Sequence, residues 1–318
     1  MRSAKAHAPS SPGAADRGFA RISSNLLRIG IHTSIQGSID KAAVRAAELG
    51  ANTFQIFSAS PRMWRARMPS AEEIARLRAA RERYDLNPLV VHDNYLINLA
   101  AADAGLRRRS VAAFRGELER AAAIGAEYLV AHPGSSAGQS VEEAIERAAE
   151  SIAEAARGLA LDGVVLLLEN TAGSGAALGS RFEELAEIRR RAASRVELEI
   201  GYCLDTAHCL AAGYDVATAS GLKKTLEEAD RLLGLERVHV IHSNDSRAPL
   251  GSRVDRHAHI GQGHIGADGF RRILSHPRLR TKPFILETPV KEEGDDRRNI
   301  DMLKQLCRRR STTTRRSS

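Results

Sequence analysis

Six side chains that bind metals well, His92, His132, Glu169, Asp205, His242 and Glu287, each stand at the end of a short apolar run, and the six runs are successive. A single histidine in such a place is ordinarily a hydrogen-bonded structural residue. Six runs in a row ending in His, His, Glu, Asp, His and Glu form a ligand pattern. Two local pairs extend it: Asp205-Thr-Ala-His208 and Asp255-Arg-His257. Imidazole nitrogen mixed with carboxylate oxygen suits zinc, with manganese or iron as further candidates, whereas magnesium draws on carboxylates and water. The full set of nine, His92, His132, Glu169, Asp205, His208, His242, Asp255, His257 and Glu287, exceeds what one or two ions need.

Residues so far apart in sequence meet only if the fold gathers them. Eight runs read as strands: 26–32, 53–58, 89–92, 128–132, 164–169, 198–205, 237–242 and 283–287. They alternate with Ala-, Glu-, Arg- and Leu-rich stretches of helical period, including 38–49, 71–84, 141–160 and 221–233. Nearly continuous apolar strands imply burial on both faces, as in a parallel sheet. Eight βα units close into a TIM (β/α)8 barrel, whose C-terminal strand ends share one mouth. Among the remaining signals, Gly261-Gln-Gly263-His-Ile-Gly266 matches GxGxxG but does not join a first strand to its helix, so it reads as a loop. His239, inside the seventh run, reads as structural. His32 ends the first run and stands either as a supporting residue or as a bland one, and His259 and His264 have weaker claims.

The chain has 318 residues, 43% hydrophobic and 27% charged, with no apolar run near the ~20 residues of a membrane span. This predicts a cytoplasmic protein. Cys203, Cys209 and Cys307 form no CxxC pair and no disulfide framework, and Cys209 reads as a small apolar filler. The net charge of +8 sits outside the expected core: residues 1–21 carry +3 and 308–318 carry +5, leaving 22–307 neutral. The expected layout is a basic disordered tail over 1–26, a barrel over 27–307 and a second basic tail over 308–318. Pro9, Pro12 and Gly13 interrupt the first segment, which argues against an amphipathic transit peptide.

The motifs HDNYLINLA (92–100), AHPGS (131–135), LENTAG (168–173), CLDTAHCLAAGYD (203–215), HSNDS (242–246), GSRVDRHAHIGQGHIG (251–266) and LETP (286–289) resemble endonuclease IV, an apurinic/apyrimidinic (AP) endonuclease family of xylose isomerase-like barrels. The resemblance covers roughly 29–307. It implies a trinuclear zinc site in which His92, His132 and Glu169 hold one ion. Glu169 bridges to a second, shared with Asp205, His242 and Glu287, and His208, Asp255 and His257 hold the third. It further implies cleavage of double-stranded DNA on the 5′ side of abasic sites by metal-activated hydroxide, with Glu169 orienting the nucleophile. The implied products are a 3′-OH and a 5′-deoxyribose phosphate, and 3′-blocked ends are a second substrate. Arg62, Tyr95 and Leu96 stand where the family contacts DNA, the family is usually monomeric, and the expected location is the cytoplasm, in association with the nucleoid. Gln262, where an acid is common, and Cys209, beside His208, depart from the pattern near the site. The rival readings are a metal-dependent sugar isomerase or epimerase on the same barrel, and a noncatalytic DNA-binding protein on a decayed one.

Overall fold

The parallel runs pair edge to edge into a ring. In the computed structural model, which describes residues 27–307, the strands are β1 (Ile29–His32), β2 (Thr53–Phe57), β3 (Leu89–His92), β4 (Tyr128–Ala131), β5 (Val165–Glu169), β6 (Ile200–Asp205) and β7 (Val238–His242). After a small antiparallel pair, β8 (Asp245–Ser246) and β9 (His257–Ala258), comes β10 (Phe284–Leu286). The closed order is β1-β10-β7-β6-β5-β4-β3-β2, a TIM barrel. The expected tails, 1–26 and 308–318, lie outside the described residues.

The α-helices are α1 (Ile39–Glu48), α2 (Ala71–Tyr84), α3 (Ala104–Ile124), α4 (Val141–Ala156), α5 (Phe182–Ala193), α6 (Thr206–Ala212), α7 (Ala219–Leu232), α8 (Gly266–Ser275) and α9 (Asp295–Cys307), with a short 3-10 turn over Leu235–Arg237 before β7. Ser70 and Ser140 open α2 and α4 as reciprocal capping boxes with Glu73 and Glu143, which satisfies exposed N–H groups of the first turn. Helix α4 stops four residues short of the expected 160. Arg157 already leaves the helical conformation at ψ 123°, and Gly158 follows it in the left-handed region at φ 73°. The first strand begins at Ile29 rather than residue 26, and Ser58, His132 and Glu287 fall one residue past the last paired position of their strands.

Two cores follow from strand alternation. Phe54, Ile56, Leu89, Val91, Leu166 and Leu168 point outward into the layer beneath the helices. Val90, Val130, Leu167, Cys203, Val240 and Ile285 point inward and plug the barrel. Successive side chains alternate faces, so the residue two positions after each plug residue also faces inward, one layer nearer the mouth. Those residues are His92, His132, Glu169, Asp205, His242 and Glu287.

Candidate metal centre

The period-two rule therefore delivers one donor per strand from β3 round to β10, and the distances show them converging. Glu169 is the hub: its Oε2 lies 3.2 Å from His92 Nε2 and 3.6 Å from His132 Nε2, and its Oε1 lies 2.9 Å from His242 Nδ1. Glu287 Oε2 approaches the same His242 Nδ1 to 3.3 Å. On the other side, Asp255 places one oxygen 3.4 Å from His208 Nε2 and the other 3.4 Å from His257 Nε2. Asp205 Oδ2 stands 3.8 Å from His257 Nε2. Three groups have donor atoms within 4.8 Å of one another: His92, His132 and Glu169; Glu169, Asp205, His242 and Glu287; and Asp205, His208 and His257. Glu169 and Asp205 each belong to two groups, so the three are contiguous. All nine expected residues come together, with Asp255 at the solvent edge of the third group.

The histidine hydrogen bonds test whether ions fit. A carbonyl oxygen can only accept, so the Nδ1 atoms of His92, His208 and His257, which lie 2.9, 2.9 and 3.0 Å from the carbonyls of Asp93, Asn170 and Glu287, must carry hydrogen. A neutral ring then aims its Nε2 lone pair at a carboxylate oxygen, which repels it unless a proton or a cation lies between. His257 Nε2 is buried with no hydrogen-bond partner among the described residues. Pinning one ring nitrogen on a backbone carbonyl while presenting the other inward is how proteins orient metal-binding histidines. Glu169 and Asp205 are buried, Glu287 is nearly so, and among the described residues no lysine or arginine pairs with any of them. The donor set fits divalent cations.

Protons alone give the same electrostatic signature. Burial alone would raise the Glu169 carboxyl, but His242, His132 and hydrogen bonds from His208 and His242 outweigh it and hold the group well below the usual range. Glu287 is likewise pushed up by burial and held down more strongly by His242 and His32. Burial opposes charge on each ring, yet Glu169 and Glu287 carry His92 up to about 10, Asp205, Asp255 and Glu169 raise His208, and Glu169, Glu287 and Asp205 raise His242. The carboxylates of the cluster thus favour positive charge in the spaces between them and these rings.

Several supporting residues escaped the sequence reading. Asn170 accepts from the Asp205 amide at 2.7 Å and donates to its carbonyl at 3.2 Å. Asn244 donates to Asp205 Oδ2 at 2.5 Å and accepts from the Glu287 amide at 2.8 Å. Asp205 also caps α6 by accepting from the His208 amide at 2.8 Å, which ties two donors together. Gln55 of β2 contacts Glu287, His32 and His242. The available signal was a polar residue at an inward position of TFQIF, but the strand-end pattern selects the run's last residue, Ser58. Ser58 instead joins a buried trio in which Arg120 Nε donates to its hydroxyl at 2.7 Å and Arg120 pairs with Glu117 at 3.0 Å.

The loops around the mouth carry Arg62, Tyr95 and Leu96, the residues expected to meet DNA. Tyr95 is 70% exposed, with its ring edge-on to Phe57 at 5.1 Å. Arg62 is exposed and Leu96 half-buried. Asn94 donates to the Met63 carbonyl at 3.2 Å, which joins the loops after β2 and β3. Trp64 packs on the core beneath Arg109. The GQGHIG loop wraps the Asp245 carboxylate, which accepts from the amides of Gly261, Gly263 and Ile265 at 2.9, 3.0 and 3.0 Å. The segment is a loop, as expected, and it is folded around a side chain of the protein itself. Cys209 is buried and its thiol is pushed up to about 12, chiefly by burial, which removes it as a nucleophile.

Residues 43–306 match the family described as "Xylose isomerase-like TIM barrel", the class that this fold and site define. A "Probable endonuclease 4" from Solibacter usitatus is 62% identical over 88% of this chain and 97% of its own length. The crystal structure of endonuclease IV from Thermus thermophilus superposes with a TM-score of 0.77 at 43% identity, covering 88% of this chain and 98% of that one. The chain belongs to the endonuclease IV family. A D-tagatose 3-epimerase-like protein also superposes, with a TM-score of 0.63 at 20% identity over 88% of this chain and 97% of that one, a likeness of fold alone.

Proposed function

We propose that this protein is a DNA repair endonuclease that hydrolyses the phosphodiester on the 5′ side of abasic sites in duplex DNA, leaving a 3′-OH and a 5′-deoxyribose phosphate, and that it also trims 3′-blocked ends. The observation that carries the reading is the contiguity of three donor groups through Glu169 and Asp205 at the barrel mouth, in a chain of this family. We assign His92, His132 and Glu169 to one zinc ion, Glu169, Asp205, His242 and Glu287 to a second, and His208, Asp255 and His257 to a third. Bound divalent cations lower the pKa of water toward neutrality, polarise a phosphate and stabilise a leaving oxygen.

The chain's own residues prepare the rest. Four carboxylates, Glu169, Asp205, Asp255 and Glu287, against three dications leave a net charge of about +2, which draws a phosphodiester to the mouth. Glu169 faces donors on both sides, so it would be shared between two ions and would orient a water held there. The carbonyl-pinned rings of His92, His208 and His257 hold their inward nitrogens without rotamer search. Tyr95 and Leu96 enter the minor groove and Arg62 contacts the backbone, which supports the nucleotide that lacks a base as it leaves the stack. The protein works as a cytoplasmic monomer on the nucleoid. No helix among the described residues is long and apolar enough to cross a membrane.

The test is to incubate purified protein with a duplex carrying one abasic analogue, an intact duplex and a panel of sugars. Incision immediately 5′ to the lesion with no sugar turnover is the expected result. Isomerised or epimerised sugar with uncut DNA would overturn the reading in favour of the other activity found on this barrel.

A further inference from the structure

Three of the histidines around the cluster are oriented by backbone carbonyls, but His242 is not. Its Nε2 meets the side-chain oxygen of Gln55 at 2.8 Å. Gln55 is fully buried on β2 in register with His32 and Val90, and it faces inward with the barrel plug. Its amide nitrogen lies 2.6 Å from Glu287 Oε1 and 2.9 Å from His32 Nδ1. A carboxylate can only accept, so the nitrogen must be the end that faces Glu287, and the oxygen must be the end that faces His242. An amide oxygen also only accepts, so His242 must carry its hydrogen on Nε2. The lone pair is then on Nδ1, the atom that faces Glu169 at 2.9 Å and Glu287 at 3.3 Å.

We infer that Gln55 is a positioning residue of the metal centre: it fixes the His242 tautomer and holds Glu287 so that both present their donors to the same ion. This rests on reading the cluster as a metal site. The amide is chemically specific for the place. Glutamate there would set two carboxylates face to face at the present 2.6 Å separation, and an apolar residue would strand His242 Nε2, His32 Nδ1 and Glu287 Oε1 without partners in a buried layer. Outer partners of this kind typically change metal affinity by about 10–100-fold when removed.

The experiment compares the unaltered protein with Gln55→Met, which keeps the length and removes both hydrogen-bonding ends. Zinc content and chelator-competed zinc affinity are measured for each, together with melting in chelator. One of three ions should weaken by about 10–100-fold in Gln55→Met, with the other two unchanged and metal-free melting close to the unaltered protein. Equal affinity for all ions in both proteins would overturn the inference, and so would a loss of metal-free stability as large as the loss with zinc, since that is a packing role. A protein that binds no zinc before substitution would overturn the metal reading itself, which keeps the two failures distinct. Should Gln55→Met not fold, nitrogen-15 spectra of the histidines in the zinc-loaded unaltered protein decide: a hydrogen on His242 Nε2 is expected, and one on Nδ1 would refute the assignment.

Discussion

His208 Nε2 lies 3.4 Å from Asp255 Oδ2, and the two come from different parts of the barrel: a buried helix position just after β6 and a loop residue whose side chain is 51% exposed. The contact spans inside and outside. The hydrogen bond from His208 holds the Asp255 carboxyl below its usual range, against the opposing effect of burial. Asp255→Ala should therefore release one ion and leave two, because the other eight donors sit on strands, one residue past a strand end, on α6 or on β9. Elemental analysis after gel filtration should read close to three ions per chain in the unaltered protein and close to two in the variant, and three in both would place Asp255 outside the centre.

Glu169 is the carboxylate that faces His92, His132, His208 and His242 together. Glu169→Gln keeps the size and removes the charge, so the shared ligand and the orientation of the attacking water are both lost. Single-turnover incision of an abasic duplex should fall by at least about 100-fold while binding of that duplex, followed by anisotropy, persists. Turnover within a few-fold of normal would show that another group orients the water.

Sequence reading reached the donors because strand periodicity and strand ends are local properties. It reached the ring because eight apolar runs alternate with helical ones. It did not reach Asn170, Asn244 and Gln55, since their importance lies in which atom each one faces across the barrel. Asn170 looks like any polar residue after a strand until Asp205, 35 positions away, is seen to exchange two hydrogen bonds with it. The GxGxxG loop shows the converse, in which a local pattern was legible but its occupant, Asp245, became apparent only in three dimensions.

Gly30 shows how tightly β1 is seated. A Cβ at this position would lie 2.1 Å from the carbonyl oxygen of Thr53 on the neighbouring strand, where backbone cannot yield cheaply. Gly30→Ala should destabilise the barrel by about 3 kcal/mol, near the upper end for overpacking, and lower the melting temperature by roughly 5 °C or more. An unchanged melting curve would mean that β1 shifts freely against β2.

The charged ends and the cluster should affect different observables. Residues 1–21 and 308–318 carry the whole net charge of +8, while all nine donors, Arg62 and Tyr95 fall in the neutral stretch between. A chain trimmed to 22–307 should bind undamaged DNA more weakly and with a shallower salt dependence, because the slope of log K against log salt falls by ~0.9 for each phosphate that is no longer neutralised. Its single-turnover rate on a saturating abasic duplex should match that of the full chain. Identical salt slopes would show that the ends do not touch DNA, and a large loss of rate with the fold intact would give one of them a place at the mouth.

The three residues of β10 are bonded to β7 on one side and β1 on the other, and Glu287 follows immediately. A chain still on the ribosome and synthesised only as far as β9 already holds eight of the nine donors, but β1 and β7 have nothing between them and the ring stays open. Closure and the last carboxylate then arrive within four residues of each other. Because such long-range pairing is slow in folding, the ring and the full set of donors are completed together, and a chain lacking its final segment has neither a closed barrel nor the ninth donor.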